Sequence, residues 1–158
     1  MDDGMQGMLL NSPIGWIALL AQAEGICGLY FRDSLPEGCI QTDAPLLNRA
    51  REQLLRYFDG KLMTFDLPLS IHGTVFQQRV WQVLCKIPYG ATCTYAQVAA
   101  LVGSPKAYRA VGLANNRNRI SIMIPCHRVV GADGSLVGYS GGLYRKKTLL
   151  DLEQRSIR

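Results

Sequence analysis

Histidine is scarce in this chain: His72 and His127 are the only two among 158 residues. The five cysteines (Cys27, Cys39, Cys85, Cys93 and Cys126) are scattered and form no C-x-x-C pair, so the spacing of a zinc site is missing and no metal is expected. Dispersed, unpaired cysteines fit a reducing compartment. No apolar run approaches the roughly 20 residues needed to cross a bilayer, and Asp2 and Asp3 stand where a signal peptide would be basic. The expected protein is soluble, has no membrane partner, and is cytoplasmic, or nuclear in a eukaryote. With 48% hydrophobic and 18% charged residues, the composition is that of a folded globular chain, which excludes disorder.

The charge that is present is unevenly placed. Residues 1–71 carry five Lys/Arg against nine Asp/Glu, and residues 72–158 carry twelve against three, giving the net +5. A basic half beside an acidic one is the footprint of a surface that meets a polyanion.

Apolar runs broken by Ser12-Pro13-Ile14-Gly15 and by Glu24-Gly25 predict three short strands between Met8 and Phe31, forming a small antiparallel sheet. Leu46, Leu47, Ala50, Leu54 and Phe58 then recur at helical spacing, with Asp43 as cap, Pro45 in the first turn and Gly60 as the stop. Residues 61–73 read as an extended crossing segment, which sets the expected domains at 1–72 and 73–158. The second half opens with two capping boxes, Thr74-x-x-Gln77 and Thr94-x-x-Gln97. The helix after Thr94 should stop at Gly103. Ser104 and Pro105 then start another helix running toward Asn115, so the pair has the form of a helix-turn-helix. Ile120–Ile124 reads as a short strand, Ala132-Asp133-Gly134-Ser135 as the turn of a hairpin wing, and Arg145–Glu153 as a terminal helix. The fold expected is an α/β N-terminal domain followed by a mostly α winged helix-turn-helix domain.

A cysteine reacts as its thiolate and needs a nearby base or cation. Only Cys126 has such neighbours, His127 and Arg128, so it is the candidate nucleophile. In extended backbone adjacent side chains point to opposite sides, so a water is expected to bridge His127 to Cys126. The imidazole in turn needs a carboxylate on its other nitrogen, and Asp133, Asp151 and Glu153 are the ones available in this half. Lys106 and Arg109, set among Ala107, Ala110, Gly112 and Ala114, describe a helix that can approach a nucleic-acid groove closely. Tyr95 is a candidate to press on DNA. Gly138-Tyr139-Ser140-Gly141-Gly142 lacks a P-loop pattern and reads as a pocket wall, and Arg145, Lys146 and Lys147 as a solvated basic face.

Ile124-Pro125-Cys126-His127-Arg128-Val129-Val130 resembles the signature of the O6-alkylguanine-DNA alkyltransferases. The likeness extends from Gly73-Thr74-x-Phe76-Gln77 through Ile87-Pro88-x-Gly90-x-Thr92, Tyr95, Arg109-Ala110-Val111-Gly112 and Asn118 to Tyr139-Ser140-Gly141-Gly142 and Glu153. It covers most of the second half and touches the first only loosely. The resemblance implies irreversible, stoichiometric transfer of an alkyl group from O6-alkylguanine to Cys126, without a cofactor, in a monomer that enters double-stranded DNA from the minor groove. It further implies that His127 acts through water as base, that Glu153 orients it, and that Asn118 shapes the site. Arg109 would fill the space of the flipped nucleotide and Tyr95 press on the adjoining phosphate. Tyr139 and Ser140 would donate to the guanine, and Ser104 lies with the DNA-facing residues. The chain departs from the family where Arg119 replaces a common proline and Tyr108 a small residue. Three alternatives are a damage-binding alkyltransferase-like protein that transfers nothing, a cysteine hydrolase, and a plain winged-helix transcription factor. The first lacks the acceptor cysteine, the second needs no basic helix-turn-helix, and the third leaves Pro125–Val130 without a purpose.

Overall fold

The computed structural model describes residues 4–157, so Asp2 and Asp3 lie outside the described residues. The chain divides into two compact units, Met1–Ile71 and His72–Arg158.

In the first unit β1 (Gln6–Ser12), β2 (Gly15–Gln22) and β3 (Gly25–Tyr30) form an antiparallel meander. Ser12 Oγ closes the first turn by donating to Gly15 O at 2.6 Å and accepting from Ile14 N at 3.2 Å. The short β4 (Ile40–Gln41) adds to β1 in parallel, giving the order β3-β2-β1-β4. The sheet is therefore mixed rather than wholly antiparallel as expected. Ile17 through Ala21 of β2 are all buried, as befits a central strand covered on both faces. The expected crossing segment pairs with the free edge of β3: Ile26 N donates to Pro68 O at 2.8 Å and Ser70 N to Ile26 O at 2.7 Å. That approach explains Gly25, where a Cβ would collide with the Pro68 carbonyl.

Helix α1 (Pro45–Phe58) buries Leu47, Ala50, Leu54 and Tyr57. Its N-cap is Ala44, without a side-chain cap. Asp43 stands one residue before the cap position and does not cap; its backbone carbonyl accepts from Asn48 Nδ2 at 2.6 Å.

The second unit is helical: α2 (Val75–Cys85), α3 (Tyr95–Val102), α4 (Tyr108–Asn116) and α5 (Leu143–Ser156). Both capping boxes are formed, with Thr74 Oγ1 and Thr94 Oγ1 each accepting at 3.1 Å from the backbone of the glutamine three residues on. Each cap is worth about 1 kcal/mol and fixes where its helix begins. Gly103 ends α3 in the left-handed conformation (φ 91°), as its sequence position requires. Ser104 does not start the next helix. Its carbonyl accepts from Ala107 N at 2.8 Å, closing a turn through Pro105, and α4 begins only at Tyr108. The two helices still form the expected helix-turn-helix pair, with Val98, Ala99, Val111 and Ala114 buried.

The two-residue strands β5 (Cys93–Thr94) and β6 (Val129–Val130) pair in parallel, which anchors the segment after Cys126 beside the start of α3. The expected hairpin wing is a turn alone: Gly131 N donates to Ser135 O at 2.9 Å and, among the described residues, no strand returns after it. Among the described residues no helix is long and apolar enough to cross a membrane.

Candidate active site

The loop between α4 and Cys126 is built on one asparagine. Asn118 Oδ1 accepts from Ile120 N at 2.9 Å and its Nδ2 donates to Ile124 O at 2.8 Å, drawing the intervening residues into a tight buried turn. Ile120–Ile124 is thus not the expected strand. Its apolar side chains are needed to bury a turn in which Ile122 adopts φ 73°, a conformation that costs a β-branched residue roughly 1–3 kcal/mol. Arg119 is exposed and leaves both Asn118 bonds in place.

Cys126–Arg128 then form one 3-10 turn, with Arg128 N donating to Pro125 O at 3.0 Å. The backbone here is not extended, which corrects the premise that neighbouring side chains point to opposite sides. In a 3-10 turn successive side chains fan out by about a third of a circle, so Cys126, His127 and Arg128 point three different ways, and all three are buried.

His127 reaches α5. Its Nε2 lies 2.7 Å from Glu153 Oε2, with both side chains almost completely shielded from solvent. The same carboxylate takes Arg128 Nε on Oε1 at 2.8 Å, Arg128 Nη2 on Oε2 at 3.0 Å, and Gly90 N on Oε1 at 3.3 Å. Burial alone would raise the Glu153 carboxyl, but the donors from His127 and Arg128 outweigh it and hold the group at about 2. Burial lowers the basicity of His127. The Glu153 bond opposes this, while the cations Arg128 and Lys146 reinforce it. At neutral pH the pair is therefore a neutral imidazole donating from Nε2 to a carboxylate, which leaves the lone pair on Nδ1. His127 Nδ1 is buried and, among the described residues, has no hydrogen-bond partner. Asp133 and Asp151, the other carboxylates weighed from sequence, are exposed; Asp133 caps the turn at Ser135 N and Asp151 pairs with Lys147.

The Cys126 side chain is 2% exposed. Burial pushes its thiol up to about 11, against hydrogen bonds from Asn118 and Ser121 and the charge of Lys146. At rest it is a thiol, and a base must take its proton before it can act as a nucleophile. The expected cation, Arg128, serves Glu153 instead, its Nη1 donating to Ile87 O at 2.8 Å and its guanidinium lying 5.6 Å from the Tyr89 ring centroid.

The cation near Cys126 is Lys146, read from sequence as part of a solvated face. It is fully buried, and its Nζ donates to Val137 O at 2.8 Å and Gly138 O at 3.4 Å. Burial brings its ammonium down to about 8, against the pull of Cys126. The sequence held a signal for this placement: residues 146, 149 and 153 recur at helical spacing, and Lys146, Leu149 and Glu153 are the buried face of α5. Ser121 and Asn115, whose Nδ2 lies 3.4 Å from Cys126 O, were also missed, because nothing in residue type distinguishes them from loop filler.

Tyr139 is buried, and burial holds its phenol well above its usual range, an effect that a Cys126 thiolate would reinforce, so it remains a hydroxyl donor. The Tyr95 hydroxyl donates to Val137 O at 3.0 Å, so the carbonyl just before the glycine-rich segment joins α3 to α5. Asn118, Cys126, His127, Tyr139 and Glu153 are thus brought together, with Tyr95 at their margin. Arg109, Ser104 and Ser140 are not: among the described residues no hydrogen bond joins them to this cluster, and Arg109 stands exposed on α4. The described residues contain no group of three or more His, Cys, Asp or Glu able to hold a metal.

Residues 75–155 match the family model described as 6-O-methylguanine DNA methyltransferase, DNA binding domain, and residues 7–71 match the same family's ribonuclease-like domain. The chain is 49% identical to the methylated-DNA–protein-cysteine methyltransferase of Methanosarcina barkeri, over 95% of this chain and 98% of the relative. It is 47% identical to the protein of that name from Mycobacterium leprae, over 94% and 92%. A crystal structure of Mycobacterium tuberculosis OGT in complex with DNA superposes with a TM-score of 0.89 at 43% identity, covering 96% of this chain and 94% of that one. The chain belongs to the 6-O-methylguanine DNA methyltransferase family, DNA-binding enzymes of direct-reversal repair that transfer an alkyl group from DNA to one of their own cysteines.

Proposed function

We propose that Cys126 is the acceptor and that it takes the alkyl group from O6-alkylguanine flipped out of double-stranded DNA. The observation that carries this reading is the buried Cys126 next in sequence to His127, which is paired with Glu153 and whose Nδ1 has no hydrogen-bond partner among the described residues. The thiol proton passes through a water to His127 Nδ1, and the imidazolium so formed rests against the Glu153 carboxylate. The thiolate sulfur attacks the alkyl carbon, the carbon–oxygen bond breaks, and its electron pair stays with the guanine. Tyr139, a phenol at neutral pH, and Ser140 donate to the base as negative charge grows there. Asn118 holds the turn that presents Cys126. The product is a thioether, no second thiol adjoins Cys126 in sequence to resolve it, and each molecule acts once.

On the DNA side, α4 enters the minor groove, Arg109 fills the gap left by the flipped nucleotide, Tyr95 presses on the neighbouring phosphate, and Ser104 contacts the backbone at the turn. Flipping costs a few kcal/mol, on the scale such contacts return. Residues 73–158 form the DNA-binding and transfer domain and residues 1–72 its α/β companion, working as a monomer in the cytoplasm, or the nucleus of a eukaryote, with no cofactor. Peptide mass spectrometry after mixing with a duplex carrying one O6-methylguanine tests this. A methyl on the Cys126 peptide, absent from Cys126→Ala, is expected; lesion binding without gain of mass would make the chain a damage marker, and a methyl elsewhere would move the site.

A further inference from the structure

Glu153 is the meeting point of two side chains that want opposite things from it. His127 needs a carboxylate on Nε2 in order to accept a proton on Nδ1, but that carboxylate also raises the basicity of the resting imidazole, against the burial that lowers it. A protonated His127 has no lone pair left and cannot act as base. The structure pairs Glu153 with a second partner. Arg128 grips both carboxylate oxygens, Nε on Oε1 at 2.8 Å and Nη2 on Oε2 at 3.0 Å, and its remaining arm is tied to Ile87 O at 2.8 Å.

We propose that Arg128 is a positioning residue of the relay: its bidentate hold fixes the Glu153 carboxylate toward His127 Nε2, and its charge balances that carboxylate so that His127 rests neutral and ready to accept a proton. This rests on the reading of His127 as the base. The geometry favours Arg128 for the task over the other groups nearby. From the same turn, Cys126 contributes a neutral thiol. From α5, Lys146 is a second cation that disfavours the imidazolium, but its ammonium is bonded to Val137 O and Gly138 O, not to Glu153. Tyr139 is a neutral phenol that feels both Cys126 and Glu153. From α2 and the segment after it, Cys85 feels Arg128 and the Tyr89 ring lies against the guanidinium. The cation that grips both oxygens of the carboxylate holding His127 is Arg128.

The direction of the effect follows. Without the guanidinium, Glu153 would draw a proton onto the His127–Glu153 pair, and the acid limb of the transfer rate, where His127 loses its lone pair, would move to higher pH. The test uses single-turnover methyl transfer at saturating O6-methylguanine duplex, followed against pH for the wild-type chain, Arg128→Met and Arg128→Lys, with the His127 ring titrated by NMR in each. In Arg128→Met the acid limb and the ring titration should move up together by about one pH unit or more, a roughly tenfold loss of rate on the acid side. Arg128→Lys, which keeps the charge, should restore part of the shift. A wild-type acid limb in a folded Arg128→Met overturns the inference. Should the variants fail to fold, the wild-type chain still tests it: an imidazolium at His127 at pH 7 overturns it. Absence of methyl transfer to Cys126 in the wild type would instead be a failure of the reading beneath it.

Discussion

The second unit presents two regions built on opposite rules. Around Cys126 the charged groups are buried and matched: Glu153 against Arg128 and the N–H of a neutral His127, and Lys146 against two backbone carbonyls. On the α3–α4 side Lys106, Arg109, Arg117 and Arg119 are exposed, and among the described residues none of their side chains makes an ion pair or hydrogen bond. A buried pair is costly to break, because removing one partner strands the other without water. Unpaired surface cations are cheap to hold and release counterions when they meet phosphate. The difference separates two jobs: chemistry arranged in advance, and a surface that waits for a polyanion.

Substitutions should therefore divide into those that stop transfer and those that weaken binding. The largest effect is expected for Cys126→Ala, which should abolish methyl transfer while a gel-shift titration finds duplex affinity preserved. Loss of binding as well would mean the two regions are not separable. Glu153→Gln should follow, with transfer slowed about 10²–10⁴-fold in quenched single-turnover assays. It should also lower the melting temperature, since stranding Arg128 costs about 3–5 kcal/mol. Arg109→Ala should act from the other side, weakening lesion-duplex binding by about 1–3 kcal/mol in a fluorescence titration while the melting temperature stays put. Smallest of all, Lys106→Ala should reduce the slope of log affinity against log salt by about one.

The buried charges also make stability depend on pH. Glu153 is held at about 2, below its ordinary 4.5, so the stability it contributes is fully present above 4.5 and is lost as pH falls from there toward 2. Depressed basicity in His127 acts with the same sign, its contribution fading as pH drops below 6.5. Melting temperatures taken down this range should fall more steeply for the wild-type chain than for Glu153→Gln.

Local chemistry made part of this architecture legible in the sequence. Thr74-x-x-Gln77 and Thr94-x-x-Gln97 announced two helix starts because a capping box satisfies backbone donors with residues three apart, and Gly103 announced a stop because few other residues adopt its φ of 91°. Ser104-Pro105 misled for the same local reason: the pair suits a helix start and a turn equally, and here the Ala107 to Ser104 bond makes it the turn. Ile120–Ile124 read as a strand because an apolar run reports burial, while a turn pinned by the side chain of Asn118 leaves no period to read. Lys146 was hidden by its charge. Residue type says solvent, and only its helical register with Leu149 and Glu153 places it inside. The resemblance of the Pro125–Val130 signature named Cys126, His127 and Glu153, but the second grip on Glu153 by Arg128 depends on a 3-10 turn that sequence does not reveal.

The account turns most of all on Cys126 as an acceptor used once. The direct test titrates a fixed amount of protein with increasing O6-methylguanine duplex, counts methyl groups transferred at completion, and maps them by peptide. The account predicts a plateau at one methyl per molecule, all of it on the Cys126 peptide. Continued transfer past that plateau, or methyl shared among Cys27, Cys39, Cys85 and Cys93, would contradict it.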